Sequence, residues 1–214
     1  MSANPVSFTQ LGLPKRPGDY RRWGRLRGSA RGLVIATAAK LAEKPLVVVC
    51  THAAERTELE REIQFYTAKN PELPIVCFPD WETLAYDQFS PYQDIVSERL
   101  AFLQFCEKAQ RGIFLFTAAS AMQRLAPTSF IKGRSFHMHS GETLELEAFR
   151  HRLESSGYRC VPQVMEHGDF ALRGNLIDVY PMGNPLPFRI DLFDDEIESI
   201  RLFDPENQRS REKV

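Results

Sequence analysis

Residues 45–78 read PLVVVCTHAAERTELEREIQFYTAKNPELPIVCF, and this stretch decides the fold of the first half of the chain. It opens with PLVVVC, a short apolar run rich in β-branched residues that is typical of a strand buried on both faces of a parallel sheet. A polar segment of helical length follows, and PIVCF, residues 74–78, predicts a second buried strand. Because parallel strands need a crossover connection, the order strand, helix, strand predicts an α/β domain with a parallel sheet.

The flanking segments continue this alternation of helices and strands. Residues 29–44, SARGLVIATAAKLAEK, carry apolar side chains at helical spacing behind a serine that can serve as N-cap. Downstream, residues 95–110 predict a helix, and residues 112–117, GIFLFT, predict a third buried strand. The sequence therefore predicts one α/β domain over residues 1–130.

The pattern changes after residue 130, so residues 131–214 are predicted to form a separate, smaller domain. RSFHMH, residues 134–139, alternates as a half-exposed strand, and residues 141–157 predict an amphipathic helix that ends at a glycine. Several short strands follow, separated by turns rich in glycine, proline and asparagine. One helix against such a meander gives an α+β domain with an antiparallel sheet.

Composition and charge limit the classes of function that fit the chain. The formal net charge of -1 argues against attraction of the whole surface to nucleic acid or to an anionic membrane. The sequence has no run of about eighteen apolar residues and no signal peptide, so we expect a cytoplasmic protein that does not contact a membrane. The cysteines are scattered singly, most of them within apolar strand or helix patterns, which predicts buried free thiols.

The sequence offers no motif for catalysis or for binding a metal or cofactor. A P-loop needs a glycine-rich turn that ends in Gly-Lys-Ser/Thr, whereas residues 26–33, LRGSARGL, lead into the first helix without a lysine. The acidic residues between Asp191 and Glu198 lack the spacing of a calcium loop, which leaves a divalent-metal enzyme as a remote alternative. His137 and His139 share a strand face but lack further zinc ligands at suitable spacing.

A basic stretch near the N-terminus supports an alternative function in DNA binding. Residues 15–31, KRPGDYRRWGRLRGSAR, combine arginines with aromatic side chains, which is the composition of a nucleic-acid-binding arm. Its candidate contacts are Arg21, Arg22, Trp23 and Arg25. The loop after the second predicted strand contains four large aromatic residues, Trp81, Tyr86, Phe89 and Tyr92. Their rings could stack on bases, or they could cover a small core. Arginine-rich segments also dock on their own protein, so DNA contact is the weaker hypothesis.

The segment PFRIDLF, residues 187–193, combines a core face with an unusual outer face. Its alternation puts Phe188, Ile190 and Leu192 toward the core, and places Phe193 on the opposite face with two charged residues. A phenylalanine in phase with an arginine makes an amphipathic patch of residue types that are enriched at protein interfaces. The alternative is that the phase slips at the following turn, so that Phe193 points inward.

This outer face and the strand before it define a candidate partner-binding set: Arg173, Asn175, Arg189, Asp191 and Phe193. The planar guanidinium group of arginine is suited to bidentate contacts with carboxylates of a partner protein. The register between the two strands does not follow from the sequence, so the relative positions of these residues stay open.

Long segments of the chain resemble a known family. Residues 164–183, VMEHGDFALRGNLIDVYPMG, and residues 186–204, LPFRIDLFDDEIESIRLFD, closely resemble the N-terminal region of the bacterial transcription-repair coupling factors (Mfd) and, more distantly, the excision-repair protein UvrB. Residues 80–100, DWETLAYDQFSPYQDIVSERL, and residues 121–127, AMQRLAP, resemble the same family. The resemblance therefore extends from the first predicted helix to the end of the chain.

The resemblance implies a fold and a partner for each half of the chain. Residues 1–130 are implied to be most of a degenerate helicase-type, UvrB-like domain that lacks the P-loop and has little room for the DNA-probing hairpin of UvrB. Residues 131–214 are implied to be the small domain through which UvrB and Mfd bind UvrA. Contacts with UvrA are implied at the positions of Arg173, Arg189 and Phe193.

The same resemblance implies that this chain is a non-catalytic fragment that recruits UvrA to stalled transcription complexes in nucleotide excision repair. ATP and Mg²⁺ are implied only for motor domains outside the chain, and RNA polymerase would be reached only through further domains. A C-terminal domain of the same polypeptide is implied to mask the UvrA-binding surface until the motor engages the polymerase. Direct contact between this fragment and DNA is not expected.

Overall fold

The computed structural model of the protein describes four stretches of the chain, residues 11–68, 73–83, 87–132 and 136–214. Within them, no helix is both long and apolar enough to cross a bilayer. The chain divides into two compact units, which we call the first unit (Met1–Asp80 with Phe105–Arg124) and the second unit (Trp81–Gln104 with Leu125–Val214).

Residues 81–104 group with the second unit, whereas the domain boundary expected from the sequence lies at residue 130. Two contacts contribute to this grouping. The Asp94 carboxylate lies 2.8 Å from Nδ1 of His167, and the Gly183 N–H donates to Ser97 Oγ at 2.8 Å. Both contacts join residues far apart in the chain, so a linear pattern of helices and strands does not reveal them.

The first unit is built on a sheet of three parallel strands, which confirms the predicted α/β class. The helices and strands up to residue 121 are α1 (Ala30–Leu41), β1 (Leu46–Cys50), α2 (Ala53–Thr67), β2 (Ile75–Cys77), α3 (Gln93–Lys108), β3 (Ile113–Thr117) and α4 (Ala118–Ala121). Of these, α3 belongs to the second unit up to residue 104. The strand order is β1, β3, β2, and the central β3 has Ile113 and Leu115 fully buried. Strand β1 is at an edge and, contrary to the expectation of two buried faces, leaves Val47 and Val49 exposed.

Helices α1 and α2 approach closely because α1 has a glycine at their contact. A Cβ atom built at Gly32 would lie 2.4 Å from Glu62 Cβ, which is closer than van der Waals contact allows. Gly32 also donates its N–H to Glu62 Oε2 at 3.1 Å. Because Gly32 is the third residue of α1, the Glu62 carboxylate accepts one of the N–H groups that a helix N-terminus leaves without an intrahelical partner. Gly32, the second glycine of the LRGSARGL segment, is therefore required for the packing of α1 against α2.

The second unit contains a six-stranded sheet together with α5 (Thr128–Lys132) and α6 (Leu146–Ser155). Its strands follow the same order in space as in the chain: β4 (Arg159–Cys160), β5 (Asp169–Arg173), β6 (Leu176–Val179), β7 (Phe188–Phe193), β8 (Glu196–Phe203) and β9 (Ser210–Lys213). Strands β5 to β9 form the predicted antiparallel meander. Strand β4 pairs with β5 in parallel, so the sheet is mixed. A two-residue strand is too short to show an alternating pattern in the sequence.

One face of this sheet packs against α6. Phe149 and Leu153 of α6 are buried in one cluster with Phe170, Ile177 and Ile190 of the strands. This arrangement confirms the predicted amphipathic helix, although the helix begins at Leu146 and not at the start of the predicted segment. The predicted stop is also present, since Gly157 follows the helix with a φ of 90°, a value that favours glycine.

Of the strand predicted over residues 134–139, residues 134 and 135 lie outside the described residues, and residues 136–139 do not form a strand. Phe136 and Met138 pack, partly buried, against the cluster around α6. Their backbone is irregular, and the His139 N–H donates to the Glu142 carboxylate at 2.9 Å instead of to a neighbouring strand. Alternating apolar side chains therefore mark a packed segment here, but not a hydrogen-bonded ladder.

The four cysteines are free thiols that differ strongly in exposure, and Cys160 is exposed against expectation. Burial raises the pKa of the Cys50 and Cys106 thiols, and raises the pKa of Cys77 to about 12. Because the thiolate is the reactive form, we expect iodoacetamide at pH 8 to alkylate Cys160 first and Cys77 last. Mass spectrometry of peptides from the folded protein measures the order. Equal rates at Cys77 and Cys160 would contradict the packing of β2.

Candidate partner-binding surface

The sheet face opposite α6 carries the strand residues that the sequence predicts to bind a partner. Directly paired residues of antiparallel strands share a face, and Asp178 of β6 is paired with Arg189 of β7. Arg189 is paired in turn with Arg201 of β8. We call this surface the polar face and define it by Arg173, Asp178, Arg189, Asp191, Phe193, Ser199 and Arg201.

Asp178 lies at the centre of the polar face, and its side chain is completely buried, with 0% exposed. Its Oδ1 accepts a hydrogen bond from Arg189 Nε at 2.7 Å, and its Oδ2 accepts one from Arg189 Nη2 at 3.0 Å. Oδ2 also accepts from Nη2 of Arg173. One carboxylate therefore holds two guanidinium groups, and the three side chains together carry one excess positive charge.

Arg189 is held on several sides by its own unit. Its Nη1 donates to the Gln208 carbonyl at 3.1 Å and to Ser210 Oγ at 3.2 Å. The guanidinium carbon lies 4.6 Å from the ring centroid of Phe203, which is fully buried. The hydrogen bonds to Asp178 raise the pKa of Arg189 above its usual value, which favours the charged form. Only 14% of the Arg189 side chain is exposed. Arg189, which the sequence predicts to contact a partner, is therefore mainly bound to groups of its own unit.

Arg173 and Asp191 occupy the polar face in different ways. Arg173 ends β5, and 47% of its side chain is exposed beyond the hydrogen bond to Asp178. The Asp191 carboxylate accepts from Ser199 Oγ at 2.8 Å, and its Oδ2 lies 3.7 Å from Nη2 of Arg201. Asp191 is therefore paired within its own sheet, whereas much of the Arg173 side chain faces solvent.

Phe193 is 72% exposed, so it does not point inward. The register of β7 against β8 does shift after Asp191, but Leu192 stays buried and Phe193 stays outside. Asn175 lies in the exposed turn between β5 and β6. Its backbone carbonyl oxygen accepts a hydrogen bond from the Leu192 N–H at 2.9 Å. This bond places the turn that follows Arg173 beside the end of β7 that carries Phe193.

Sequence reasoning did not identify Asp178, Ser199 or Arg201. Asp178 gave one usable signal, because it is an acidic residue inside the otherwise apolar strand segment LIDV. Such a residue has to find a partner when it is buried. Its partner is a residue of the neighbouring strand, and the cross-strand register was needed to name it.

The predicted nucleic-acid-binding residues lie on the first unit, where Arg21, Arg22 and Arg25 are exposed. Trp23 is only partly exposed and packs against the cluster around Val34. Three of these residues, Arg21, Arg22 and Trp23, line an open cavity of about 870 Å³ beside β1. The tryptophan thus anchors the basic stretch to its own unit.

The aromatic residues of the predicted stacking loop are not all free to bind bases. The Arg99 guanidinium carbon lies 3.9 Å from the ring centroid of Trp81, so one face of that ring is covered. Phe89 and Tyr92 are exposed by 82% and 78%. Tyr86 lies outside the described residues. Across the described stretches, no group of three or more His, Cys, Asp or Glu side chains is arranged to hold a metal ion.

Comparisons with known proteins place the chain among DNA-repair relatives. Residues 136–214 match the family model of the UvrB interaction domain. The Transcription-repair-coupling factor of Escherichia coli (strain K12) is 42% identical over 202 residues, which cover 94% of this chain and 17% of that relative. The corresponding factor of Haemophilus influenzae is 38% identical over 98% of this chain and 18% of the relative. The factor of Myxococcus xanthus is 31% identical over 95% of the chain and 17% of the relative. The chain thus spans less than a fifth of the length of these relatives.

Proposed function

Because the chain belongs to the N-terminal, UvrB-like region of the transcription-repair-coupling factors, we propose that it is a non-catalytic module that recruits UvrA to stalled transcription complexes. The UvrB interaction domain is a protein-interaction module, and it covers the whole polar face. The proposal assigns UvrA binding to this face of the second unit. ATP-driven movement and contact with RNA polymerase are assigned to parts of the relatives that this chain does not span.

The observation that carries the proposal is the exposed Phe193 at the edge of an arginine-rich strand face. Large aromatic side chains and arginines are enriched at the energetic centres of protein interfaces. Phe193 offers an apolar side chain that is 72% exposed, and the half-exposed Arg173 lies on the neighbouring hairpin. The antiparallel pairing of β5, β6 and β7 holds both in a fixed register, which lowers the entropy cost of binding.

The N-terminus of α1 supports the non-catalytic part of the proposal. In a P-loop, the N–H groups at this end of a helix bind phosphate oxygens. Here the Glu62 carboxylate accepts from the Gly32 N–H at 3.1 Å. A carboxylate in this place competes with a phosphate for the same donors and repels its charge.

DNA binding through the N-terminal stretch receives less support. Stacking on bases needs an accessible ring, whereas Trp23 packs against Val34 and its neighbours. The net charge of -1 provides no general attraction to the DNA backbone. We therefore do not propose DNA binding as a second function.

Calorimetric titration of purified UvrA with this chain tests the proposed function. We expect the wild type to bind, and Phe193→Ala to lose about 2 kcal/mol, which corresponds to a Kd about thirtyfold higher. The fold should be unaffected, because substitutions of exposed side chains change stability by about 0.5 kcal/mol or less. Phe65→Ala is a matched control, since Phe65 is 77% exposed on α2 of the first unit. Absence of wild-type binding, or equal affinities of the Phe193 and Phe65 variants, would refute the proposal.

A further inference from the structure

The two arginines on Asp178 differ in how many donors they have left for a partner. A guanidinium group has five N–H donors. Arg189 uses Nε and Nη2 on Asp178, and uses Nη1 on both the Gln208 carbonyl and Ser210 Oγ. Four of its donors therefore have acceptors inside the unit. Arg189 can offer a partner at most one hydrogen bond, and cannot offer the paired N–H groups that grip a carboxylate.

Arg173 is in the opposite situation. Within the described stretches of the chain its one hydrogen bond runs from Nη2 to Asp178 Oδ2. Its side chain is 47% exposed, against 14% for Arg189. It also ends β5, next to the turn that contacts the Phe193 end of β7. Arg173 therefore keeps a pair of N–H groups available at the end of the sheet that also carries the exposed Phe193.

From this difference we propose that Asp178 is a positioning residue for UvrA binding, which holds Arg173 so that its free N–H groups receive a carboxylate of the partner. Arg189 fixes Asp178 from the other side and is not itself the group that grips the partner. The inference rests on the proposed function, because it names the chemistry of the same surface. Its claim about the position of Arg173 can also be measured without UvrA.

The charges of the polar face favour an acidic group on the partner. Among the described residues, Asp178 is the sole carboxylate within 4 Å of either guanidinium group of this trio. One positive charge of the trio thus has no carboxylate partner within 4 Å among the described residues, and the carboxylate that holds the two arginines is buried. A partner aspartate or glutamate would neutralise it through a bidentate, charge-assisted contact. An adjoining apolar pocket on the partner would receive Phe193.

The positioning claim predicts a non-additive pair of substitutions. We expect Asp178→Asn to raise the Kd for UvrA by about tenfold and Arg173→Ala to raise it by about thirtyfold. In the Arg173→Ala background, Asp178→Asn should change the Kd by less than about twofold, because the residue through which it acts is gone. If the double variant instead raises the Kd by the product of the two single effects, the proposal is overturned.

Asp169→Asn serves as the matched control for loss of a buried carboxylate. Asp169 is 4% exposed on the neighbouring strand and pairs with Arg159 at 2.9 Å, away from the Arg173 cluster. We expect this variant to bind UvrA within about twofold of the wild type. If it weakens binding as much as Asp178→Asn does, the effect is one of general stability and the positioning role fails.

Two further measurements keep the proposal open to refutation if Asp178→Asn does not fold or if UvrA does not bind. Arg173→Lys keeps the charge but loses the paired donors, and leaves Asp178 intact; we expect a Kd about tenfold higher, and an unchanged Kd would overturn the bidentate contact. Nitrogen-15 NMR of the arginine side chains, without UvrA, should show a distinct and slowly exchanging signal from the Arg173 Nη2–H that donates to Asp178. That signal should move to the position of free arginine in Asp178→Asn. Absence of a distinct signal in the wild type would refute the positioning of Arg173 even if UvrA binding itself fails.

Discussion

Arg189→Ala should lower the free energy of unfolding of the second unit by about 3 kcal/mol, because it removes the bidentate partner of a fully buried carboxylate. Asp178 has no exposed side-chain surface, so solvent does not compensate for the loss. Arg173 still contacts Asp178 in the variant, which places the cost at the lower end of the range of about 3–5 kcal/mol for a broken buried pair. The contacts of Arg189 with Gln208 and Ser210 on the far side are lost as well.

Urea denaturation followed by circular dichroism measures this effect as a lower midpoint with an unchanged slope. Arg201→Ala is the matched control, because Arg201 is 47% exposed and lies 3.7 Å from Asp191. An exposed pair of this kind contributes about 1 kcal/mol or less. If both variants have the same midpoint, the Asp178–Arg189 pair does not stabilise the unit in the way described. A loss of UvrA binding in Arg189→Ala should be interpreted only together with this stability measurement.

Phe203→Ala should have an equally large effect on stability. Phe203 is completely buried in a small cluster with Val164, Ala171 and Tyr180, on the same sheet face as Arg189. Removal of a buried phenylalanine ring costs about 3–5 kcal/mol, because apolar contacts are lost and a cavity remains. Its ring also lies beneath the Arg189 guanidinium, so the truncation removes a packing surface for that group.

Phe193→Ala is the natural comparison for Phe203→Ala, because the same side chain is lost from the exposed end of the neighbouring strand. We expect its free energy of unfolding to stay within about 0.5 kcal/mol of the wild-type value. Thermal unfolding of both variants gives the comparison. A midpoint for Phe203→Ala as high as that of Phe193→Ala would show that the second cluster contributes little to the fold.

The fold class and the two faces of β7 could be predicted because they depend on local patterns. Apolar runs and helical spacing identified the parallel strands, and the alternation of PFRIDLF placed Ile190 and Leu192 inside and Phe193 outside. The same reasoning failed at Phe136 and Met138, whose alternation reflects packing without strand pairing. It also missed the exposed face of β1, since exposure there depends on the position of the strand in the sheet.

The arrangement of the candidate site could not be predicted to the same extent. Arg173 and Arg189 were both predicted to contact a partner, but their different surroundings depend on Asp178, which pairs with Arg189 through the cross-strand register. Contacts such as that of Arg189 with Ser210 join distant parts of the chain. Sequence patterns describe which side of a strand a residue occupies, but they do not describe how many of its donors are already satisfied.

The Glu62 carboxylate at the start of α1 bears on whether a nucleotide site could be engineered into the first unit. Gly32 must stay a glycine for α1 and α2 to pack, and its N–H already donates to Glu62. Introduction of a P-loop lysine would therefore meet a carboxylate that pairs with the new cation and repels the incoming phosphates. An engineered nucleotide site would therefore need the replacement of Glu62 as well as the gain of the lysine. A lysine introduced alone should be neutralised by Glu62 and should not create a phosphate site.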